Sequence, residues 1–404
     1  MKPTHGVNWL GLAMIWFGGM ISVPALMVGS MLVSGLPLWQ AMLAGFIGFS
    51  IVVTFMSLES VAAVEQRMDT VHLASSAFGA RGAGIVVGLA LGLSLIGWFG
   101  VQSGVAGSSV AKIAEVSFGT RIHAGAAALV LGLLMMLMAV FGFRYLKWLN
   151  YLAAPCKVAL VVYAVVVAFQ GHGLDTILGY QPDPDRRLDM ATAIGVSIGF
   201  FAVGGVISPD YAKHARTRRD AVLGSVLGVM PAALGLLACG AILAIVQNTY
   251  DIVEIYARLG MPLLALSILI VATWTTNVMN IYSSGLALCR LSPWLNGRRA
   301  LTTLIAGVLG SVLAASGIVD NLMEFLILLT TTIPPIAGVL VSDYWIVRSF
   351  TPARPGAFNW NGVVAWAAGV GAMLAVGHPI RNVLGIVVAA ATYALLVKVR
   401  PTPR

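Results

Sequence analysis

Charge is scarce in this chain. Of 404 residues only 10% are Asp, Glu, Lys or Arg, and the acidic residues, 15 in all, are fewer than the 24 basic ones. An ordinary soluble domain carries roughly 25% charged residues, so the composition excludes that class. Cysteine is nearly missing: Cys156, Cys239 and Cys289 have no CxxC spacing and no histidine near them, which gives no basis for a disulfide framework or a structural metal. The long apolar stretches also hold almost no His, Asp or Glu, and so few of the acid–base groups that a polytopic membrane enzyme would need. No ring of charge or repeated filter-like loop suggests a channel.

What fills the chain instead is apolar residue (59%) and 45 glycines scattered through the apolar runs, with a mean hydropathy of +0.92. A bilayer core of about 30 Å takes roughly 20 apolar residues per helix. On that rule twelve spans are expected, near 9–32, 38–57, 83–110, 124–143, 149–170, 190–208, 221–247, 261–288, 300–318, 323–347, 362–377 and 382–398. With the N-terminus in the cytoplasm, seventeen of the 24 Lys and Arg residues fall on cytoplasmic segments and six on external ones. The positive-inside rule accounts for this bias. The net charge of +9 therefore needs no nucleic-acid partner. The expectation is a multi-pass protein of the inner (cytoplasmic) membrane with both termini cytoplasmic and the lipid bilayer as its solvent. The stretch from Trp9 to Leu32 is too long for a signal-peptide core and is expected to remain as the first span.

One phrase occurs twice: Gly18-Gly19-Met20-Ile21-Ser22-Val23-Pro24 in the first span, and Gly204-Gly205-Val206-Ile207-Ser208-Pro209 in the sixth. Matched interruptions in corresponding apolar segments are the mark of a secondary transporter, because unwound backbone at membrane depth is tolerated only where it is buried in protein or lines a cavity. The breaks define a five-helix unit. Residues 1–170 and 188–348 then form two repeats, inverted in the membrane because the unit is odd-numbered, and 360–398 adds two further helices. Ala154-Pro155 and Ile333-Pro334-Pro335 recur at matching places in spans five and ten. The segment Glu59 to Gly84 reads as an interfacial amphipathic helix or a solvated loop, and Gly171 to Asp189 as a plain connector.

Candidate solute contacts come from three places. In span three, Trp98 and Gln102 are four residues apart and share a helix face, and Phe200 and Phe201 precede the break in span six. Two aromatic walls suit a planar ring, although packing explains such residues equally. In span eight the run Thr273-Trp274-Thr275-Thr276-Asn277-Val278-Met279-Asn280 is polar for membrane depth. Its hydroxyls and amides serve either as interhelical glue or, facing freed carbonyls of the first span, as an oxygen shell for a cation. Lys157 lies about 15 Å into span five, near the midplane, where an ionisable residue is a functional candidate by default. The alternative is a lysine that snorkels along a wet cavity.

Together Gly97-Trp98-Phe99-Gly100-Val101 and Trp274-Thr275-Thr276-Asn277, with Pro209-Asp210-Tyr211 and Ser342-Asp343-Tyr344 in support, resemble the nucleobase/cation symporters, the family of cytosine permeases and the hydantoin transporter. The resemblance runs from about residue 8 to 375. It implies an all-α membrane fold of the leucine-transporter type, a 5+5 inverted repeat with two extra C-terminal helices, and an alternating-access permease rather than an enzyme. By matched position Trp98 and Phe201 would stack a planar heterocycle such as cytosine or another pyrimidine, with Gln102, Ser22, Asn277 and Asn280 supplying polar contacts. A sodium site would map to carbonyls of Gly18, Ile21 and Ala272 and hydroxyls of Thr275 and Thr276. Lys157 departs from that pattern. In relatives of the same superfold a span-five lysine stands in for sodium, so a proton carried on Lys157 is the rival coupling charge. Leu95, Val203 and Ala272 replace polar residues of the cytosine permeases. An amino-acid permease of the same superfold is the nearest rival, and monomer against homo-oligomer stays open. No cofactor other than a coupling ion is implied. Asp210, Tyr211, Lys213 and Arg216 after span six, and Asp343, Tyr344 and Arg348 at the end of span ten, read as helix-end charges or as a gate.

Overall fold

The computed structural model describes residues 6–141, 146–171, 173–292, 294–295, 297–347, 358–376 and 381–399. Arg348 and most of the connector that begins at Thr351 lie outside the described residues, as do Lys2, Arg144, Arg354, Arg400 and Arg404 of the charge bias. Every regular element is helical. Among the described residues seven helices are long and apolar enough to cross a membrane, or eight if one bent pair counts as a span. Shorter apolar helices at Pro155–Phe169, Met190–Val206, Arg299–Ala315 and Trp360–Ala375 coincide with four other expected spans.

The bent pair is the first span. Helix α1 (Trp9–Met20) starts from Asn8, whose side chain accepts from the Gly11 amide at 2.9 Å, and stops at Ile21. Ser22 is extended (φ −142°, ψ 155°), and α2 (Val23–Val33) restarts with Pro24 in its first turn. The two axes differ by 63°. The cause is local: Pro24 has no N–H to continue the ladder. Among the described residues the carbonyls of Gly18 and Ile21 accept no backbone hydrogen bond.

The second copy of the phrase behaves differently. Helix α9 (Met190–Val206) runs unbroken to the phrase, and only the four-residue α10 (Pro209–Ala212) follows. The interruption closes α9 rather than dividing a long apolar run, because the chain turns polar at Lys213. The segment after span two also departs from expectation. Helix α3 (Leu38–Gln66) continues nine residues beyond the expected end, and α4 (Thr70–Phe78), capped by Asp69, is a separate short helix ending at Gly79 (φ 78°). Helix α5 (Ala80–Phe118) follows at once.

The remaining elements are α6 (Ala124–Phe141), α7 (Leu146–Gly171), α8 (Leu174–Leu178), α11 (Arg218–Gln247), α12 (Ile252–Ala257), α13 (Pro262–Cys289), α14 (Arg299–Ala315), α15 (Leu322–Thr332), α16 (Pro334–Val341), α17 (Trp360–Ala375) and α18 (Arg381–Val399). Helix α7 passes through Pro155, whereas Pro334-Pro335 restarts the chain as α16, which widens into a π-helical turn over Ser342–Val347. The connector before α9 is not merely solvated. Tyr180 donates to the Val33 carbonyl at 3.1 Å and meets the Tyr250 hydroxyl at 2.8 Å.

The helices pack in two groups. Helices α1, α2, α3 and α9 gather with α11, while α5, α6, α13 and α14 form a second group; α7 leans on both α13 and α11. Contact inside the first group depends on glycine: a Cβ on Gly29 would stand 2.0 Å from the Leu237 carbonyl, and one on Gly240 2.0 Å from that of Leu26. Small residues let helices approach where no hydrophobic effect drives them together.

Candidate solute and cation site

The break between α1 and α2 opens onto a cleft. Ile21, Ser22, Val23 and Leu26 form one wall, Lys157, Leu160 and Val161 of α7 another, and Leu269 and Ala272 of α13 a third, with Tyr256 of α12 and Leu236 closing it. The hydroxyls of Thr275 and Thr276 both donate to the Ala272 carbonyl, at 3.0 and 3.3 Å. Thr276 Oγ1 then accepts from Lys157 Nζ at 3.2 Å. Ile21, Ala272, Thr276 and Lys157 are thus brought to one place from three helices. Thr275 is buried one position round α13. Gly18 sits on an open side of α1, with nothing within 4 Å of where a methyl would stand. The lysine amine therefore bonds to an oxygen of the expected cation shell.

Trp98 is buried within the main apolar cluster that also holds Met20, Phe200, Leu160 and Ala272. Its ring meets Phe200 edge-on at 5.8 Å and Phe325 of α15 at 5.4 Å. Gly97 makes the second contact feasible, since a Cβ there would fall 2.3 Å from the Phe325 ring. Phe201 does not face Trp98 directly: Phe200 stands next to both, 6.4 Å from Phe201, and Phe201 packs on Trp16 at 5.9 Å. Trp16 in turn carries Tyr211 at 4.9 Å. The aromatic wall is therefore Trp98, Phe200 and Phe325, with Phe201 and Trp16 extending it toward α10. Each such edge contact is worth about 0.5–1.5 kcal/mol.

The polar candidates separate. Gln102 is 2% exposed, and its side-chain oxygen has no hydrogen-bond partner among the described residues, which marks an acceptor on the Trp98 face still to be satisfied. Ser22 lines the cleft. Asn280 is half-buried on the Thr276 face, one turn along. Asn277 points elsewhere: its amide donates to the Phe99 carbonyl at 3.0 Å and Ser103 Oγ at 2.8 Å, between α13 and α5. Its Oδ1, also buried, has no hydrogen-bond partner among the described residues, so only the amide nitrogen is engaged with α5. A helix turns about 100° per residue, so Thr276 and Asn277 cannot share one wall. Leu95 and Val203 pack into the main cluster.

Tyr256 is a residue the sequence did not single out. It is fully buried, lines the cleft, and its hydroxyl has no partner among the described residues. The signal available was the apolar face Ile252, Val253, Ile255 and Tyr256 in a segment otherwise resembling a loop.

Charges at the end of α9 are engaged in fixed contacts. Asp210 accepts from the Thr70 amide at 2.9 Å, Lys213 stands 3.6 Å from Asp69, and Arg216 donates to the Gly6 carbonyl. Burial works against the Asp69 carboxylate, but bonds from His72 and the Lys213 charge outweigh it and hold its pKa below the ordinary range. At the other end of the molecule Glu254 of α12 bridges Lys112 of α5 at 3.0 Å and Arg258 at 2.9 Å. Hydrogen bonds from Lys112 and Arg258 hold its pKa low. Among the described residues no cluster of three His, Cys, Asp or Glu side chains is placed to hold a metal ion.

Comparison with known proteins places the chain in a family. Residues 5–397 match the model of a family described as permeases for cytosine/purines, uracil, thiamine and allantoin. The cytosine permease of Escherichia coli (strain K12) is 29% identical over 388 residues, covering 93% of this chain and 88% of that one. The hydantoin permease of Microbacterium maritypicum is 25% identical over 397 residues, 91% of this chain and 78% of that one. Among solved structures the inward facing conformation of Mhp1 superposes with a TM-score of 0.83 at 21% identity, over 98% of this chain and 93% of that one, a likeness of fold.

Proposed function

Because this chain belongs to the family of permeases for cytosine/purines, uracil, thiamine and allantoin, the nucleobase/cation symporters, and is a transporter rather than an enzyme, we propose that it imports a nucleobase or related planar heterocycle by proton symport. Cytosine or another pyrimidine is the first solute to test. Lys157 serves as the resident cation in place of sodium.

The observation that carries the coupling proposal is the 3.2 Å contact of Lys157 Nζ with Thr276 Oγ1 beside the α1 break. A sodium ion in the same shell would meet an ammonium of like charge. Protonated Lys157 ties α7 to α13 across the cleft, and loss of the proton toward the cytoplasm weakens that tie. Coupling follows if the tied arrangement is also the one that binds solute, and linkage then requires that solute tighten proton binding by the same factor. The ring is stacked in this reading by Trp98 and Phe200, with Phe201 at the inner edge. Gln102, Ser22, Asn280 and the Tyr256 hydroxyl supply polar contacts.

The packing of helices supports a twelve-span, 5+5 reading, with repeats at 1–170 and 188–348. The first two spans of each expected repeat, α1/α2 with α3 and α9 with α11, lie in one group, and the third and fourth, α5 with α6 and α13 with α14, in the other. Rocking of one group against the other about the cleft is the motion such a division allows.

The test is uptake of labelled cytosine, uracil, hydantoins and allantoin into proteoliposomes under an imposed pH gradient or an imposed sodium gradient. Uptake of one planar heterocycle driven by the pH gradient without sodium is expected. Uptake that requires sodium and ignores pH would overturn the role given to Lys157. Saturable exchange of an amino acid in preference to any heterocycle would overturn the solute class.

A further inference from the structure

Glu59 lies in α3, two turns before the helix ends at Gln66. It is 2% exposed, and neither carboxyl oxygen has a hydrogen-bond partner among the described residues. It lines a small cavity with Leu58, Leu73 and Leu340 and with Asp343 of the π-helical turn. Asp343 is equally buried and accepts from the Tyr393 hydroxyl of α18 at 2.8 Å. An ionised carboxylate held away from water with no partner is too costly to persist, and such a group takes up a proton instead. A second carboxyl on the same cavity adds to that cost, because two like charges at one site disfavour joint ionisation.

We propose that Glu59 is a second proton-binding site of this carrier, separate from Lys157, which holds its proton while α3 is sealed against the Ser342–Val347 turn and gives it up when that seam parts. Side chains of the turn bridge the seam to α3. The Trp345 indole donates to the Leu58 carbonyl at 3.3 Å, and the Tyr344 hydroxyl donates to Glu65 at the end of α3. The turn itself is π-helical, a rare geometry found frequently at functional sites. When the seam parts, the O–H bond of Glu59 breaks, the proton passes to entering water, and the carboxylate left behind is hydrated. The site lines a different cavity from Lys157, so the solute need not touch it.

Among the described residues the neighbouring charges leave Glu59 uncompensated. From the π-helical turn the facing groups are Asp343 and Tyr344, and from α18 Tyr393. At the end of α3, Glu65 takes the Arg218 guanidinium of α11 as well as Tyr344. On α4 His72 is bonded to Asp69, which also faces Lys213. On α10 Asp210 is spent on the Thr70 amide.

The proposal is tested on the purified full-length protein in nanodiscs by infrared spectroscopy. The carbonyl stretch of a protonated, dry carboxyl group is expected in the wild type at neutral pH, lost in Glu59→Gln, and shifted rather than lost in Glu59→Asp. Trp345→Ala, which loosens the seam, is expected to reduce the band, whereas a buried acid with a merely structural role would keep it. In proteoliposomes Glu59→Gln is expected to keep solute exchange while uptake loses part of its dependence on internal pH. A wild type without the band, or a Glu59→Gln variant with the full internal pH dependence, would overturn the proposal. The band is read without solute, so failure to find a transported heterocycle would count against the permease reading and leave this test standing.

Discussion

Replacing Lys157 with methionine should turn a sodium-indifferent protein into a sodium-binding one. The change keeps an unbranched chain of similar length in the cleft and removes the charge that bonds to Thr276 Oγ1. Oxygen–cation contacts reach about 2.4 Å, so an ion sharing that oxygen with an Nζ 3.2 Å away stands within about 6 Å of the ammonium. At an effective dielectric of about 20, two unit charges at that separation repel by about 3 kcal/mol, roughly a hundredfold in affinity. The assay is thermal unfolding of purified protein across a sodium series, with choline chloride holding ionic strength constant. The wild type should stay flat. In Lys157→Met, sodium a hundredfold above its dissociation constant should add about 2.7 kcal/mol of stability. A wild type that gains as much from sodium as the variant would refute the reasoning, because lysine and ion would then not share a site. If both stayed flat, the oxygen shell would not be a cation site at all.

Trp98→Ala should abolish solute-induced stabilisation, and it should also lower the melting point of the empty protein. The ring packs on Phe200 and Phe325, and removing it costs about 3–5 kcal/mol; a solute response kept at full size would take Trp98 out of the site. Asn277→Leu should cost about 1–3 kcal/mol through the acceptors it leaves at Phe99 and Ser103 while solute still stabilises the variant, and loss of binding with unchanged melting would return Asn277 to the cavity. The Glu254 bridge between α12 and α5 should depend on pH. Its folded pKa is depressed, so its contribution is present above the unfolded value and lost as pH falls through the folded one; Ser108 of α5 lines a pocket with Ile252 and Val253 of α12, and labelling of a cysteine introduced there should rise in acid, a rise that Glu254→Gln should remove.

The parts of the site legible in sequence were those fixed by backbone chemistry. Pro24 after two glycines and Ser22 favours a break because it has no N–H to continue the ladder, and a lysine within an apolar span demands a reason wherever the helix is placed. Rotation of a helix about its own axis is set by packing, and there the sequence was mute. Thr276 faces Lys157 while the Asn277 amide nitrogen, one residue on, donates to α5, although both lie in one polar run. The aromatic wall was read as Trp98 opposite Phe201, but the neighbouring Phe200 takes that place and Phe325 joins from α15, a contact that depends on Gly97 and on a helix more than two hundred residues away. The repeated phrase suggested two equal breaks. Only the first has an apolar helix on both sides, because charge follows Ala212.

The bent first span also sets an electric pattern that no side chain supplies. Helix α1 ends at the cleft with its carbonyls, and α2 begins there with its amides, so about half an elementary charge of each sign meets across Ile21 and Ser22. The negative end attracts the Lys157 ammonium, and the positive end is left for the electron-rich edge of whatever enters. Straightening the span, for example by Pro24→Ala, would cancel both poles at once.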